Sequence, residues 1–457
     1  MKKSNLALAV AFGVMAQQAG AAGFIEDSKA SVSSRTLYFN ADPREGASNV
    51  NRTEETATGL KFDYLSGFTQ GTVGFGLDVQ ALVGVHLDGS RGHHAVNGGI
   101  TPSEDFATKN GVATAKSVDE WTRLGANAKA RFSKTELRIG NALAPNLPIL
   151  VSNDGRLLPQ AFEGGIVSSK EIDNVTLTGG RLTQSIGRAS SNWTDLSVNG
   201  ATESSNNFSF AGGDWKVTKD LTLQYYYANL EDFYKQHFLG LVHVLPLGED
   251  QSFKTDLRYF NSSSDGKNGD VGYRFNNNGG YAKKAGEVDN QTWSAMFTYA
   301  LGGHALMAGH QQVGDDGGFV SLNQGAVTKN GTTINEGNGG GSFYLFTDSM
   351  INGFTRAGTN TTFGQYSYDF ARVGVPGLKA AVAYLHADDI RGNTAATRNR
   401  DFSEWERDMR VDYVIQSGPL KGFGTTVRHG VYRSDGGLST ADTDQTRVIF
   451  NYTYAFK

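Results

Sequence analysis

The segment TRLGANAKARF (122–132) carries Arg123, Asn127, Lys129 and Arg131 on one set of alternating positions. Leu124, Ala126, Ala128, Ala130 and Phe132 occupy the other. Successive side chains of an extended chain point to opposite faces, so this segment has one apolar face and one cationic face. Fixed cations lining a passage lower the barrier to anions, and a guanidinium matches a carboxylate with two parallel hydrogen bonds. The same parity recurs. TELRIG sets Leu137 and Ile139 against Glu136 and Arg138. The stretch 253–260 puts Lys254, Asp256 and Arg258 on one face, Lys61 and Asp63 share a face that Arg35 joins, and later segments add Arg410, Asp412 and Arg428. Polar residues paired across strands would produce each of these singly; the row as a whole points to the handling of anions.

Other chemistries find less support. The 457 residues include no cysteine, which removes disulfides, thiolate metal sites and cysteine nucleophiles. His93–His94 lies in a Gly-Ser-Arg stretch with no carboxylate at metal-ligand spacing, and reads as a solvated pair. No GxSxG motif, P-loop or spaced Ser/His/Asp set occurs, so no catalytic residue, metal site or cofactor is expected. The balance of 42 basic and 46 acidic residues gives a net charge of −4 with no basic stripe, and nucleic acid is not expected as a partner.

The elements that position these cations are strands. In GTVGFGLDVQALVGVHLD, Val73, Phe75, Leu77, Val79, Ala81, Val83 and Val85 alternate with mostly small or polar residues, Asp78, Gln80 and His86 among them. Similar segments recur at LKFDYL, LTLQYYYANL, WSAMFTYAL, MRVDYVI and RVIFNYTYAF. Short links such as FSKTE, VTKD and LGGH alternate with long ones rich in Gly, Asn, Ser and Asp; a ninth long-side link, near Glu231–Tyr234, is short. Counting between them predicts 18 strands, nine external links and eight turns. Crossing segments of about 9–12 residues suit a tilted transmembrane strand, and only a closed sheet satisfies its backbone in hydrocarbon. The predicted fold is therefore all-β: a single 18-stranded antiparallel transmembrane β-barrel with long external loops, some folded into the lumen. Tyr64, Phe68, Tyr299, Tyr384, Tyr452 and Phe456 fit interfacial girdles.

MKKSNLALAVAFGVMAQQAGAA reads as a secretory leader over 1–22, leaving 23–457 as the barrel, in the outer membrane of a Gram-negative cell. Outer-membrane lipid and lipopolysaccharide are then its surroundings. The third external link, NALAPNLPILVSNDGRLLPQAFEGG (141–165), holds three of the eight prolines and an apolar Leu-Pro pattern that a solvated loop does not need. Folded inward it would form an eyelet bearing Asp154, Arg156 and Glu163.

GFIEDSKA, LYFN, GTVGFGLDVQALVGVHLD, SKTELRIG, NDGRLLPQAFEGG, GEVDNQTWSAMFTYALGGHAL and VGVPGLKAAVAYL together resemble the OprD-type family of substrate-specific outer-membrane porins, across the whole mature chain. The resemblance implies an 18-stranded barrel narrowed by inward loops, and passive uptake of small carboxylates along a ladder of basic residues. It is closer to the branch favouring monocyclic aromatic acids than to the basic-amino-acid branch. Arg156, Arg35, Arg44 and Arg181 match basic positions of the pattern, whereas Ala41, Gln365 and Ala383 stand where arginine is usual. Lys379 shares the parity of Ala383, and the seventh external link, with Asp348 and Ser349, would form the opposing eyelet wall. The expected lining is thus Arg35, Lys129, Arg131, Arg138, Arg156, Arg181, Arg258, Lys379, Arg410 and Arg428, in a monomer or weak trimer. Alternatives of the same fold are a pore for basic amino acids or peptides, and a barrel without transport such as an adhesin or surface hydrolase.

Overall fold

The computed structural model describes residues 23–44, 52–95, 99–109, 112–324, 327–329, 332–334, 341–394, 397–435, 438 and 440–456. The leader expected over 1–22 lies outside the described residues. Eighteen strands form the wall: β1 (Lys29–Pro43), β2 (Thr53–Leu65), β3 (Val73–Asp88), β4 (Glu120–Phe132), β5 (Thr135–Leu143), β6 (Ala161–Ser169), β7 (Val175–Ile186), β8 (Phe208–Lys216) and β9 (Leu221–Leu230) make one half. The other half is β10 (Tyr234–Gly248), β11 (Gln251–Ser264), β12 (Asp289–Leu301), β13 (His304–Val313), β14 (Asn360–Asp369), β15 (Leu378–Arg391), β16 (Asp401–Val414), β17 (Gly424–Ser434) and β18 (Thr443–Ala455). Each strand pairs antiparallel with the next, and β1 pairs with β18 from Ser31↔Ala455 to Pro43↔Thr443, so the sheet closes and leaves no edge.

Several strands outrun the expected crossing length; β3 has 16 residues, and β1 and β10 have 15 each. Parity decides what each face meets. Phe75, Val83, Leu124, Ile139 and Leu239 are exposed on the outside, where hydrocarbon replaces the core that a soluble protein would need. Tyr299, Tyr384 and Phe456 are likewise exposed, as girdle residues should be. Phe68 is not one of them: in the β2–β3 turn its ring lies under the Arg131 guanidinium at 4.1 Å and the Lys129 ammonium at 4.9 Å.

The interior has two tiers. Near the short-turn end the inward positions are charged, as expected. Towards the loop end many are apolar and pack against loops. Phe162, Phe208, Phe210, Tyr226, Phe238 and Phe260 form one cluster with Ile149 and Leu150 of the third loop and Phe319 and Leu345 of the seventh. Leu37, Phe39, Ala57, Leu82 and Trp121 form another with Ile100 of the second loop and Leu157 and Leu158 of the third. The loops therefore pack on the inner wall and narrow the lumen at its outer end, above the charged tier.

Candidate functional site

The third loop, residues 144–160 between β5 and β6, folds into the lumen and reaches β1, β2 and β18 of the wall. It carries a two-rung hairpin, Asn146–Leu147 paired with Leu150–Val151. Leu157 and Leu158 are both 2 % exposed, and burying each contributes about 1.5–3 kcal/mol. They reach the wall because Gly59 has no side chain; a Cβ there would sit 2.9 Å from the Leu158 Cδ2. Arg35 on β1 donates to the Asp154 carboxylate at 2.7 and 3.0 Å and to the Arg156 carbonyl at 2.7 Å. Arg123 on β4 donates to the carbonyls of Pro159 and Ser190 at 2.8 Å each and to those of Gly187 and Arg188, tying the third loop to the fourth. From above, the second loop presses down through Glu55, whose carboxylate takes the Ile100 N–H at 2.9 Å and the Thr101 hydroxyl at 3.1 Å and pairs with His94. His94 is thus buried between Glu55 and Ser103 rather than solvated, because the loop folds back onto β2.

The seventh loop forms the facing side. Alternation along β16 points Glu404, Glu406 and Asp408 inward, and all three hold this loop. Glu406 accepts the N–H groups of Met350, Ile351 and Asn352 at 3.3, 2.9 and 2.8 Å. Glu404 receives Arg356 at 2.7 Å and the Tyr432 hydroxyl at 2.5 Å. Ser349 gives its hydroxyl to Asp408. On the far side Arg258 chelates Asp256 at 2.8 and 2.9 Å, donates to the Tyr344 carbonyl at 2.9 Å, and stacks 3.7 Å from the Tyr344 ring.

Four guanidiniums, those of Arg156, Arg188, Arg428 and Arg447, gather where the two loops meet. Arg410, Arg428 and Arg447 are in direct register across β16, β17 and β18. Arg447 donates to the Met350 carbonyl of the seventh loop at 2.8 Å and reaches the Gly155 carbonyl of the third at 3.5 Å. The guanidiniums of Arg156 and Arg447 lie 4.7 and 5.7 Å from the Phe39 ring centre. Arg188 donates to the Asn153 side chain at 3.1 Å. Enclosure by protein, then the charges of Arg447 and Arg188, hold the Arg156 guanidinium well below its ordinary pKa, against a smaller opposing effect from Glu55. Enclosure also pushes Arg188 down to about 10, although Asp348 and Asp154 act to raise it. Asp348 opens onto the lumen with protein on most sides, and that surround raises its carboxyl despite the Phe343 N–H and Arg188. A cation crowded by cations, with its Nε lacking a hydrogen-bond partner, gains from an arriving anion.

The expected lining residues therefore separate into groups. Arg35, Arg156 and Arg428 lie at the constriction with Asp154, Asp348 and Ser349. Arg131 and Arg138 line a cavity of about 600 Å³ below it, with Lys134 and Lys170. Arg410 pairs with Asp412 at 2.6 Å, and Lys379 pairs with Asp369 at 3.1 Å beside the short-turn end. Four expectations need correction. Lys129 is buried beneath Asp78 at 2.6 Å and the Ser66 carbonyl at 2.7 Å, because the β2–β3 turn folds over it. Arg258 is spent on Asp256 and Tyr344, with its side chain 11 % exposed. Arg181 shares the outward face of β7 with Leu177, opposite buried Leu182, so it faces away from the lumen. Glu163 follows inward-buried Phe162 and leaves on the other face. Arg188 and Arg447 were missed; the alternation of RVIFNYTYAF carried a signal for Arg447, whereas a loop arginine such as Arg188 has no periodicity to reveal it.

The sequence matches the family described as "outer membrane porin, OprD family" over residues 22–456. Among solved structures, OccK8 (OprE) of Pseudomonas aeruginosa is similar with a TM-score of 0.80 and 44% identity, over 95% of this chain and 100% of that one. OpdK of the same organism, solved with vanillate, is 32% identical with a TM-score of 0.78, over 95% of this chain and 100% of that one. The porin-like protein GalP of Pseudomonas putida is 32% identical over 438 residues, covering 95% of this chain and 94% of that protein.

Proposed function

The chain belongs to the OprD family of outer-membrane porins, and from that premise we propose that it takes up small carboxylate-bearing solutes, monocyclic aromatic acids foremost, by passive diffusion. It is an outer-membrane channel of a Gram-negative cell, not an enzyme. The leader over 1–22 is taken to be removed on export. The observation that carries the solute class is the gathering of Arg156, Arg188, Arg428 and Arg447 where the third and seventh loops meet. Asp348 and Asp154 give an acidic counter-wall that orients a polar substituent. The vanillate bound by OpdK supports the same solute class.

The carboxylate enters past the second loop, sheds part of its water against the guanidiniums, and leaves into the cavity lined by Arg131 and Arg138. Each contact must be weak enough to release, and the shared, partly occupied donors of Arg447 and Arg428 meet that need. The test is a planar-bilayer recording of purified protein under a salt gradient, followed by benzoate uptake in liposomes. Anion-biased reversal potentials are expected, and Arg156→Ala should lower benzoate flux about tenfold, the worth of one charge-assisted hydrogen bond, with a smaller loss of chloride conductance. Equal losses in both, or cation-biased potentials with lysine outpacing benzoate, would count against the reading.

A further inference from the structure

Arg181 is a cation in an unusual place. Its neighbours in register are Gly165 on β6 and Ser209 on β8, neither of which carries charge. Among the described residues, Glu163 on the same outward face of β6 included, its side chain makes no hydrogen bond or ion pair, and it is exposed. A charge on the lipid face of a barrel is costly unless it sits near the interface and finds a counter-ion there.

Beside it the outer wall is hollow. A groove of about 790 Å³ runs over β6–β10, floored by Gly179, Ala211 and Gly213 and walled by Leu177, Trp215 and Leu239. The missing side chains make the depression, and strand approach keeps one of them out: a Cβ on Gly213 would meet the Thr176 carbonyl oxygen at 2.7 Å and the Leu177 Cδ2 at 2.9 Å. Gly179 is the outward residue just before Arg181 on the same strand, so the guanidinium stands at the head of the groove. β7 runs from the short-turn end at Val175 towards the loops, which puts Arg181 on the loop side and the groove beneath it. That is the direction in which an outer-leaflet lipid lies, phosphate above and acyl chains below.

We propose that this face seats a phosphorylated outer-leaflet lipid, its phosphate on Arg181 and an acyl chain in the groove. Charge complementarity selects the occupant: a planar guanidinium without a partner pairs bidentately with a phosphate. A second copy of the barrel fits less well, because two convex walls cannot fill a narrow concave channel. The inference stands on the outer-membrane location and is independent of the solute.

The test mixes purified protein in detergent with bisphosphorylated lipid A or with lipid A stripped of both phosphates, and counts retained lipid by native mass spectrometry. Wild type should retain the bisphosphorylated form in preference. Arg181→Gln should weaken that retention about tenfold and abolish the preference, the loss of one charge-assisted contact. Ala211→Leu, which fills the groove, should weaken retention of both forms. Bilayer conductance, unchanged in both variants, reports that the barrel is intact. Equal retention by wild type and Arg181→Gln overturns the proposal. So does a variant that keeps its lipid but changes its oligomeric mass, which would assign the face to a second copy.

Discussion

Replacing Glu406 with glutamine should loosen the seventh loop without disturbing the barrel. The carboxylate holds three consecutive backbone N–H groups, two of them at 2.9 and 2.8 Å and the third at a weaker 3.3 Å. Two good bonds to a charged acceptor are worth about 1.5–3 kcal/mol each, and they fall on different oxygens, so glutamine keeps one acceptor and turns an amide NH2, which cannot accept, towards the other N–H. The change therefore costs about 1.5–3 kcal/mol. Asp408, two residues along the same face, repels Glu406, and relief of that repulsion returns about 1 kcal/mol. A net loss of about 0.5–2 kcal/mol makes the released form of the loop about 2–30 times more populated. Single-channel recording reads this as more frequent switching between conductance levels. Thermal unfolding of the barrel should stay put, since every ladder bond is intact. Dwell times equal to those of wild type, or a quieter channel, would refute the reasoning that this carboxylate is the loop's clasp.

Two further outcomes follow from the constriction. The folded pKa of Asp348 lies above the ordinary carboxylate value, so the folded protein takes up this proton first as pH falls. Anion selectivity, and the stability of the constriction, should therefore rise as pH drops through a midpoint above about 3.9, and Asp348→Asn should remove that step from the reversal-potential curve. Ala383→Arg places a guanidinium in register with Asp408, whose Oδ1 has no hydrogen-bond partner. It should move the reversal potential further towards anions while lowering the unfolding temperature, because Ala383 packs with Met296, Met307 and Leu385 and overfilling a core costs about 1–3 kcal/mol. An unchanged potential from an intact channel would count against it.

How much of this was readable beforehand depends on the physics that placed each residue. The alternation in 71–88 located the lipid face of β3, because a two-faced strand between unlike phases has no other solution. Arg35 and Arg156 were found by parity and by the peculiar composition of 141–165. Arg181 was assigned from resemblance, and there the parity of VTLTGGRL, with Leu177 outward, was the better guide. Arg123 was read correctly as inward, but its task was hidden: its partners are loop carbonyls, which every residue type possesses. The apolar upper tier was missed for a related reason. Inward phenylalanines such as Phe208 and Phe238 look misplaced in a wet barrel until the loops that cover them are folded in.

Arg447 gives the constriction a mechanical property that a list of its contacts does not convey. One rigid, planar group on one strand carries a bond to each wall of the opening, at Gly155 and at Met350. The walls also touch directly through the Val151–Ser342 bridge. Two flaps linked in this way are coupled: moving one strains the contacts it shares with the other. A sequence change on either loop therefore retunes both sides of the opening together, so channels of this build can shift their preferred solute by small steps in one wall while the other follows.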